Sequence, residues 1–436
     1  TCYQFDVLDN HLRTALDMFA SCFISPLFND NAVDRELKAI QSEFDLACTD
    51  DDTRLLQLFS SLSEDGHILQ KFSWGNRQSL EVIPKEQGID MNIMLRSFHR
   101  THYTPNNSKL VLVAPRSLEE MASIVNKSFD NWSITNHEEN DAIAWLLAQE
   151  PEPESEKNNK SNKGKGNSKK GKKATNKKEK KKNNASIVVD TIELPTLAQI
   201  LDEQRKRFAS PLKQQEATIL TRVIPIRASH KLVLVWQFPP TQHKYRSKND
   251  EYICHLIGHE GDGSLVSYLK ELGLATRVEA GSDGSNIECN SLFSLLQVTI
   301  IMTAKGLANW VKVVEAVLHY IAMLCRNGPQ ERVFRELQRV AQIDYDYLDE
   351  SSEDDFAERL AVEMSPLLAR DRNDLLPGSF LLWDWDPEGI ANMLQAMSPD
   401  KMIVSLLSAA FSTPNASQNI KEDTNEDKYE ANIIDN

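Results

Sequence analysis

The sequence predicts an α+β protein with two duplicated domains, each a mixed sheet with helices packed on it. Three observations favour this class. Strand-like and helix-like patterns alternate along the 436 residues. Hydrophobic residues make up 41% of the chain, which is enough for two cores. A helix motif in the first part of the chain recurs near its end. We place the domains at 1–136 and 187–412, separated by a linker at 137–186 and followed by an acidic tail at 413–436.

The first predicted domain contains two segments with strand patterns and several with helix patterns. Apolar residues alternate over 2–8 and run together over 109–114, so both segments are predicted to be strands. Apolar residues at three- and four-residue steps predict helices between and after them, over 11–23, 30–50, 53–63, 90–102 and 117–132.

The second predicted domain repeats this mixture. Strands are predicted at 219–226, 231–238, 293–303 and 401–407, with a short helix at 194–208 leading in. The main helices are predicted over 250–258, 307–325, 333–346, 356–368 and 387–397.

The linker contains a segment of extreme charge. Residues 157–182 hold thirteen Lys and one Glu, which is a net charge of +12. Because the whole chain has a net charge of −15, the rest of the chain carries −27. We expect this segment to be a solvated, disordered insertion. An arm for nucleic acid or another anionic surface is the alternative, although no aromatic side chains lie within it. The acidic remainder disfavours nucleic acid as a partner and favours neutral or basic peptides.

The cysteine pattern indicates reduced, buried thiols. The six cysteines are scattered along the chain and form no CxxC pair, so a zinc ribbon or a redox motif is disfavoured. No apolar run approaches the roughly 20 residues of a membrane helix.

The predicted helix over 30–50 carries two carboxylates, Glu36 and Glu43, which lie close to two helical turns apart and therefore point the same way. Both flank an apolar face, so we expect at least one of them to be partly buried and to need a partner, a proton or a metal. A solvated pair of glutamates is the plain alternative. The helix over 333–346 repeats the motif Arg-Glu-Leu, with Ile343 standing where the first copy has Glu43.

Several long segments resemble the pitrilysin/insulysin family of zinc metallopeptidases, and the insulin-degrading and nardilysin-like branch in particular. They include FDVLDNHLRTALDMFASCFISPLFNDNAVDRELKAIQSEFD, CHLIGHEGDGSLVSYLKELG and NGPQERVFRELQRV, and the resemblance extends from about residue 1 to residue 412. It implies an N-terminal-half fragment of a peptidase that encloses peptides in a clam-shell of two such halves.

The resemblance implies a Zn²⁺ cofactor, with Glu43 as a metal ligand and Glu36 as the nearby acid that orients a ligand. In the family a His-x-x-Glu-His helix supplies the two other ligands and the general base. That motif does not occur in this sequence. We therefore expect no catalytic residue within the chain, no activity of the chain alone, and a dependence on segments outside it.

The second domain contains the segment HLIGHEG, which in the family belongs to an exosite that holds the amino terminus of a substrate. The resemblance assigns this role to His255, Gly258, His259, Glu260 and Gly261, with a second segment represented here by Val278 and Gly281. That second segment reads Glu-Ala-Gly where the family has Gly-Gly. A structural glycine-rich turn is the alternative. A further alternative is a separate zinc site formed by His255, His259 and Glu336.

Three functions remain open at this stage. The first is part of an active zinc metalloendopeptidase that degrades peptides. The second is a non-catalytic relative that binds peptides or serves as a scaffold, and the third is an interaction protein working through its Lys-rich segment.

His99 and His102 are neighbours on a predicted helix, but no third ligand stands near them in the sequence, so we assign them structural or surface roles. We expect a cytoplasmic protein, with a mitochondrial location and homo-oligomer formation left open.

Overall fold

The structure is a computed structural model that describes residues 1–132, 206, 219–281, 289–365, 368, 370–412 and 431–433. The first of these ranges is helical. Its α-helices are α1 (Leu12–Ile24), α2 (Asp30–Ala47), α3 (Asp51–Ser61), α4 (Ile83–Glu86), α5 (Met91–His102) and α6 (Leu118–Ser128).

Side-chain caps explain where several of these helices begin. The Asp50 carboxylate accepts a hydrogen bond from the Thr53 N–H at the start of α3. Ser117 and Glu120 form a capping box at the start of α6, each side chain accepting from the backbone N–H of the other. These caps satisfy donors that the first turn of a helix leaves unpaired.

The later ranges form one mixed sheet with helices. In chain order the elements are β1 (Ile219–Val223), β2 (His230–Phe238), α7 (Asn249–Gly258), α8 (Leu265–Glu271), β3 (Ala275–Gly281), β4 (Ser294–Met302), α9 (Ala304–Ala308), α10 (Trp310–Asn327), α11 (Glu331–Asp346), α12 (Glu353–Glu363), α13 (Pro387–Ala396), β5 (Met402–Ser408) and β6 (Ala431–Ile433). The strand order is β3-β4-β2-β5-β1-β6. Strand β1 is parallel to β5 and β6, whereas the β2–β4, β2–β5 and β3–β4 pairs are antiparallel.

Both faces of this sheet are covered, and alternation along β2 shows how. Leu232, Leu234 and Trp236 are fully buried in a large core with helices α7, α8, α10 and α13. The intervening Val233 and Val235 face the other way, into a second core that contains Leu55 and Phe59 of α3. A strand buried on both faces reads as a continuous apolar run, as the segment KLVLVW does. Helix α3, from the first part of the chain, is therefore part of the core of the later sheet.

The predicted α+β class, with a mixed sheet and packed helices, is confirmed. The strands predicted at 2–8 and 109–114 are wrong for the structure, which assigns no strand among residues 1–132. An alternating pattern reports which side chains prefer burial, but a strand also needs a hydrogen-bonded neighbour. Neither segment has one within the described residues. Tyr3 and Leu110 remain 50% and 40% exposed.

Some predictions fall outside the described residues, namely the linker at 137–186 with its Lys-rich segment, most of the helix at 194–208, and most of the tail at 413–436. Within that tail the structure places β6, which pairs with β1 through Leu220 and Ala431 and which the sequence did not predict. The domain boundaries stay a prediction. All six cysteines are free. The expectation that they are buried is wrong for Cys2, Cys22, Cys48 and Cys325, which are exposed. None of the helices in the described ranges has the length and apolar character that a membrane span requires.

Candidate functional site

Helix α2 is the helix that carries the two predicted carboxylates. Asn29 caps it by accepting a hydrogen bond from the Asn31 N–H. Its apolar side chains, among them Ile40 and Phe44, are half-buried, and the Phe44 ring lies against Phe72 at 5.8 Å between centroids. Gln41 accepts a hydrogen bond from the Arg77 N–H at 2.8 Å, which ties α2 to the segment before α4. The periodicity therefore predicted the helix correctly, and the face that it predicted to be buried is half-buried.

Glu36 and Glu43 are both exposed, so the expectation that at least one of them is partly buried is wrong. The apolar face of α2 is narrow, and each carboxylate lies just beyond its edge, where water can reach it. Neither carboxylate is seen bonded to another residue in the ranges that the structure describes.

The described residues do not assemble a metal site. No group of three or more His, Cys, Asp or Glu side chains with metal-binding geometry occurs among them. Catalytic zinc takes three protein ligands. A single exposed carboxylate does not fit it, so the residues present do not hold the ion by themselves.

A cavity of about 740 Å³ lies where the C-terminal end of α7 meets strand β3. We call it the α7–β3 cavity. His255, Gly258, His259, Glu260 and Gly281 all line it. Gly258 lies so close to β3 that a Cβ there would be 3.8 Å from the Ala280 backbone nitrogen. The two segments that the sequence paired on the strength of a resemblance are thus adjacent in the structure.

Two predicted residues do not line this cavity. Val278 is 4% exposed because alternation along β3 points its side chain into the main core. Gly261 instead supports His259, since its N–H donates to the imidazole Nδ1 at 2.9 Å. A Cβ at Gly261 would collide with the His259 ring, so only glycine leaves that ring in place.

Ala280, which lies within the second predicted segment, also lines the cavity, and the sequence did not indicate the other lining residues. These are the apolar Phe238, Cys254, Leu295, Leu296 and Met393 and the polar Thr241, Asp250, Glu251, Cys289 and Ser294. Asp250 and Glu251 lie in the first turn of α7, where acidic residues are ordinary, so nothing in the sequence marked them. The Asp250 carboxylate accepts from the Thr241 hydroxyl at 2.9 Å.

The α7–β3 cavity is acidic. Three carboxylates line it, from Asp250, Glu251 and Glu260, and none of its lining residues is Lys or Arg. Two cations lie at its margin: Lys248 pairs with Glu251 at 3.0 Å, and Lys270 lies 3.9 Å from Glu260. The cavity therefore favours a cationic group on electrostatic grounds.

The two imidazoles of the cavity stand edge to face, with 5.8 Å between ring centroids. Burial lowers the pKa of His255, and the neighbouring His259 lowers it further, while Glu336 opposes the shift. His255 is therefore neutral at pH 7. Burial also raises the pKa of the Cys254 thiol to about 12, so this sulfur stays protonated and unreactive.

The open side of β3 adds a second binding element. In the described sheet β3 pairs only with β4, so it is an edge strand. Its free N–H and C=O groups can pair with an extended peptide. An acidic cavity beside an open strand edge can hold a peptide by its charged end and by its backbone together.

Comparison with solved structures identifies the fold. The chain superposes on pitrilysin with a TM-score of 0.68 and 23% identity, over 92% of this chain and 35% of that one. At this identity the likeness shows a shared fold.

Sequence comparison then identifies the family. The domain described as "Peptidase M16 inactive domain" matches residues 94–200 and 182–340. "Insulinase (Peptidase family M16)" matches residues 1–66, and "Middle or third domain of peptidase_M16" matches 345–436. The chain belongs to the M16 peptidase family, which confirms the resemblance.

Named relatives are considerably longer than this chain. Nardilysin of Rattus norvegicus is 31% identical over 410 residues, which are 94% of this chain and 30% of the relative. Insulin-degrading enzyme of Bos taurus is 26% identical over 413 residues, covering 94% and 33%. The chain spans about a third of the length of these relatives.

Proposed function

We propose that this chain is the substrate-gripping part of a zinc-dependent metalloendopeptidase that degrades peptides. The observation that carries the proposal is the acidic α7–β3 cavity beside the open edge of β3. Family membership supports peptide substrates, and the names of the relatives include an insulin-degrading enzyme.

In this proposal the cavity holds the amino terminus of a peptide. The positive ammonium group lies among the carboxylates of the cavity, with Glu260 at its mouth, and the neutral imidazole of His255 accepts a hydrogen bond. The Nδ1 atom of His259 already accepts from the Gly261 N–H, so this ring borders the site without accepting from the peptide. The peptide then runs along β3 as an added strand, which fixes its register. Gly258 and Gly281 keep the approach between α7 and β3 free of side chains.

Glu43 contributes one zinc ligand in this proposal, and Glu36 orients the site from two turns away on α2. Exposure of Glu43 supports this role, because a ligand must be reachable by an ion and by ligands from elsewhere. Two histidine ligands and a general base then come from outside the given sequence, as the family resemblance implies. The chain alone binds peptides without cleaving them.

The experiment compares two peptides of one extended sequence, one with a free amino terminus and one acetylated, titrated into the chain by fluorescence anisotropy. We expect acetylation to weaken binding about tenfold or more, because a hydrogen bond to a charged group contributes roughly 1.5–3 kcal/mol. Glu260→Gln should reduce the difference between the two peptides. Glu271→Gln removes an exposed acid on the neighbouring helix α8 and should leave it unchanged. Equal affinity for the two peptides would refute the proposal.

The second candidate function is a non-catalytic relative that binds peptides or serves as a scaffold. The absence of a three-ligand metal group in the described residues favours it for the chain itself. One experiment distinguishes the two candidates. The chain is mixed with the part of a longer relative that it does not cover, and cleavage of a peptide is measured. If the mixture cleaves the peptide and Glu43→Gln abolishes the cleavage, the peptidase is supported. If the peptide stays intact, the scaffold is supported. A role for the Lys-rich segment in partner binding, a cytoplasmic location and a homo-oligomer stay predictions.

A further inference from the structure

Helix α2 and the α7–β3 cavity belong to one connected frame. Only three residues separate the end of α2 at Ala47 from the start of α3 at Asp51. Their backbone N–H groups are all bonded back into α2, from Cys48 to Phe44, from Thr49 to Leu46 and from Asp50 to Ala47, each at 3.0 Å. The corner between the two helices is therefore tight, and the orientation of α3 sets that of α2.

Helix α3 is held on the later sheet by packing. Leu55 and Phe59 are 5% and 4% exposed and lie in one cluster with side chains of β2, β4 and β5. Leu295 of β4 belongs to this cluster and also lines the α7–β3 cavity. Packing of this kind fixes the distance between layers but allows a helix to slide or rotate along a flat apolar face.

A polar contact removes that freedom, and Asp51 is its centre. Its carboxylate accepts from the N–H of Ile226 at 2.8 Å and from the N–H of Arg227 at 3.0 Å, in the turn between β1 and β2. Arg54 donates to the same carboxylate at 2.9 Å and to the Ile224 carbonyl at 3.3 Å. The Asp51 side chain is 11% exposed. Hydrogen bonds to a shielded charged acceptor are directional and strong, so the start of α3 has one position on the sheet.

The neighbouring acid provides a natural contrast. Asp52 pairs with Lys231 at 3.0 Å, but its side chain is 73% exposed. An exposed pair of this kind contributes little, because water screens it and both side chains must be ordered. Two adjacent aspartates thus reach the same part of the sheet, and only the first has a shielded side chain that accepts directional hydrogen bonds from the backbone.

We propose that Asp51 is a positioning residue that fixes the carboxylate helix α2 relative to the α7–β3 cavity, and so sets how many residues separate a held amino terminus from the bond that is cut. The part of this inference that concerns the cleaved bond rests on the proposed function. Its structural part, a fixed distance between two sites, is measured independently of any peptide.

The experiment measures that distance with spin labels and pulsed electron paramagnetic resonance. One label is placed on Cys48, which is exposed at the end of α2, and the other on Asp262→Cys, which is exposed beside the cavity between α7 and α8. The other exposed cysteines, Cys2, Cys22 and Cys325, are changed to Ser. Hydrogen exchange of the Ile226 and Arg227 amides is followed in the same proteins.

We expect Asp51→Ala to broaden or shift the distance distribution and to speed exchange of both amides about tenfold or more. Asp51→Asn keeps the size of the side chain and one acceptor oxygen, so an intermediate effect is expected, and this variant carries the test if Asp51→Ala does not fold. Asp52→Ala should match the unsubstituted chain. A general loss of stability would lower the melting temperature, but at temperatures well below melting it would leave the distance distribution unchanged.

An unchanged distribution in both Asp51 variants would overturn the inference, whether or not the amides exchange faster. Peptide affinity, measured in parallel, keeps the two proposals apart. Failure of the unsubstituted chain to bind peptide would refute the proposed function and leave the distance result standing. Normal peptide binding with an unchanged distribution would refute only the role of Asp51.

Discussion

Replacing Phe59 by alanine should strongly destabilise the sheet, although Phe59 lies about 160 residues away from it in sequence. The side chain is 4% exposed and packs in the cluster that includes Val233, Val235 and Leu407. A Phe-to-Ala change at such a site removes buried apolar area and leaves a cavity, and typically costs about 3–5 kcal/mol. We therefore expect the free energy of unfolding to fall by that amount.

Urea denaturation is the assay, followed by tryptophan fluorescence, to which the fully buried Trp236 of β2 contributes. Leu46→Ala on α2 is the matched control. Its side chain is 73% exposed, and a change there should stay within about 0.5 kcal/mol. A loss below about 1 kcal/mol for Phe59→Ala would refute the placement of α3 in the core of the sheet.

The remaining predictions concern the two sites. Dialysed chain should retain almost no zinc by elemental analysis, because Glu43 alone does not make a site, and stoichiometric zinc would contradict this. The free energy of unfolding should fall as pH drops below about 6.5, since the unfolded chain then binds a proton at His255 that the folded chain, with its lowered pKa, resists. His255→Gln should flatten that slope in urea titrations, and an unaltered slope would exclude His255 as its source. Cys254 should resist iodoacetamide at pH 8 while exposed Cys48 is alkylated, as judged by peptide mass mapping, and rapid labelling of Cys254 would contradict the raised pKa.

Helices were the predictable part of this fold. Their apolar spacing is a local property, so residues such as Val33, Leu37 and Ile40 were enough to predict α2 and its half-buried face. Strands at the centre of the sheet were also predictable, because a run such as KLVLVW is buried on both faces.

Longer-range features could not be predicted in the same way. The pattern over 2–8 gives the preferred faces of side chains but not a ladder partner, and no strand forms there among the described residues. The apolar face of α3 showed that Leu55 and Phe59 are buried, but not that they lie on a sheet formed much later in the chain. Sequence spacing also could not determine whether Glu43 is covered, because that depends on what packs beside α2.

The candidate cavity was predicted in part. A resemblance indicated the Gly258–His259–Glu260 segment and Gly281, and the structure brings these together. Asp250 and Thr241 were missed, because one is an ordinary first-turn acid and the other lies in a loop. Val278 does not line the cavity, because alternation along β3 turns its side chain into the core.

The most direct test of the peptide grip uses a peptide that carries a photoreactive group beside its free amino terminus. After irradiation with the unsubstituted chain, mass spectrometry identifies the cross-linked residues. The account predicts cross-links within 250–261 and 275–281, two of the segments that line the α7–β3 cavity, and their loss when an acetylated peptide is used. Cross-links concentrated elsewhere, or unaffected by acetylation, would contradict it.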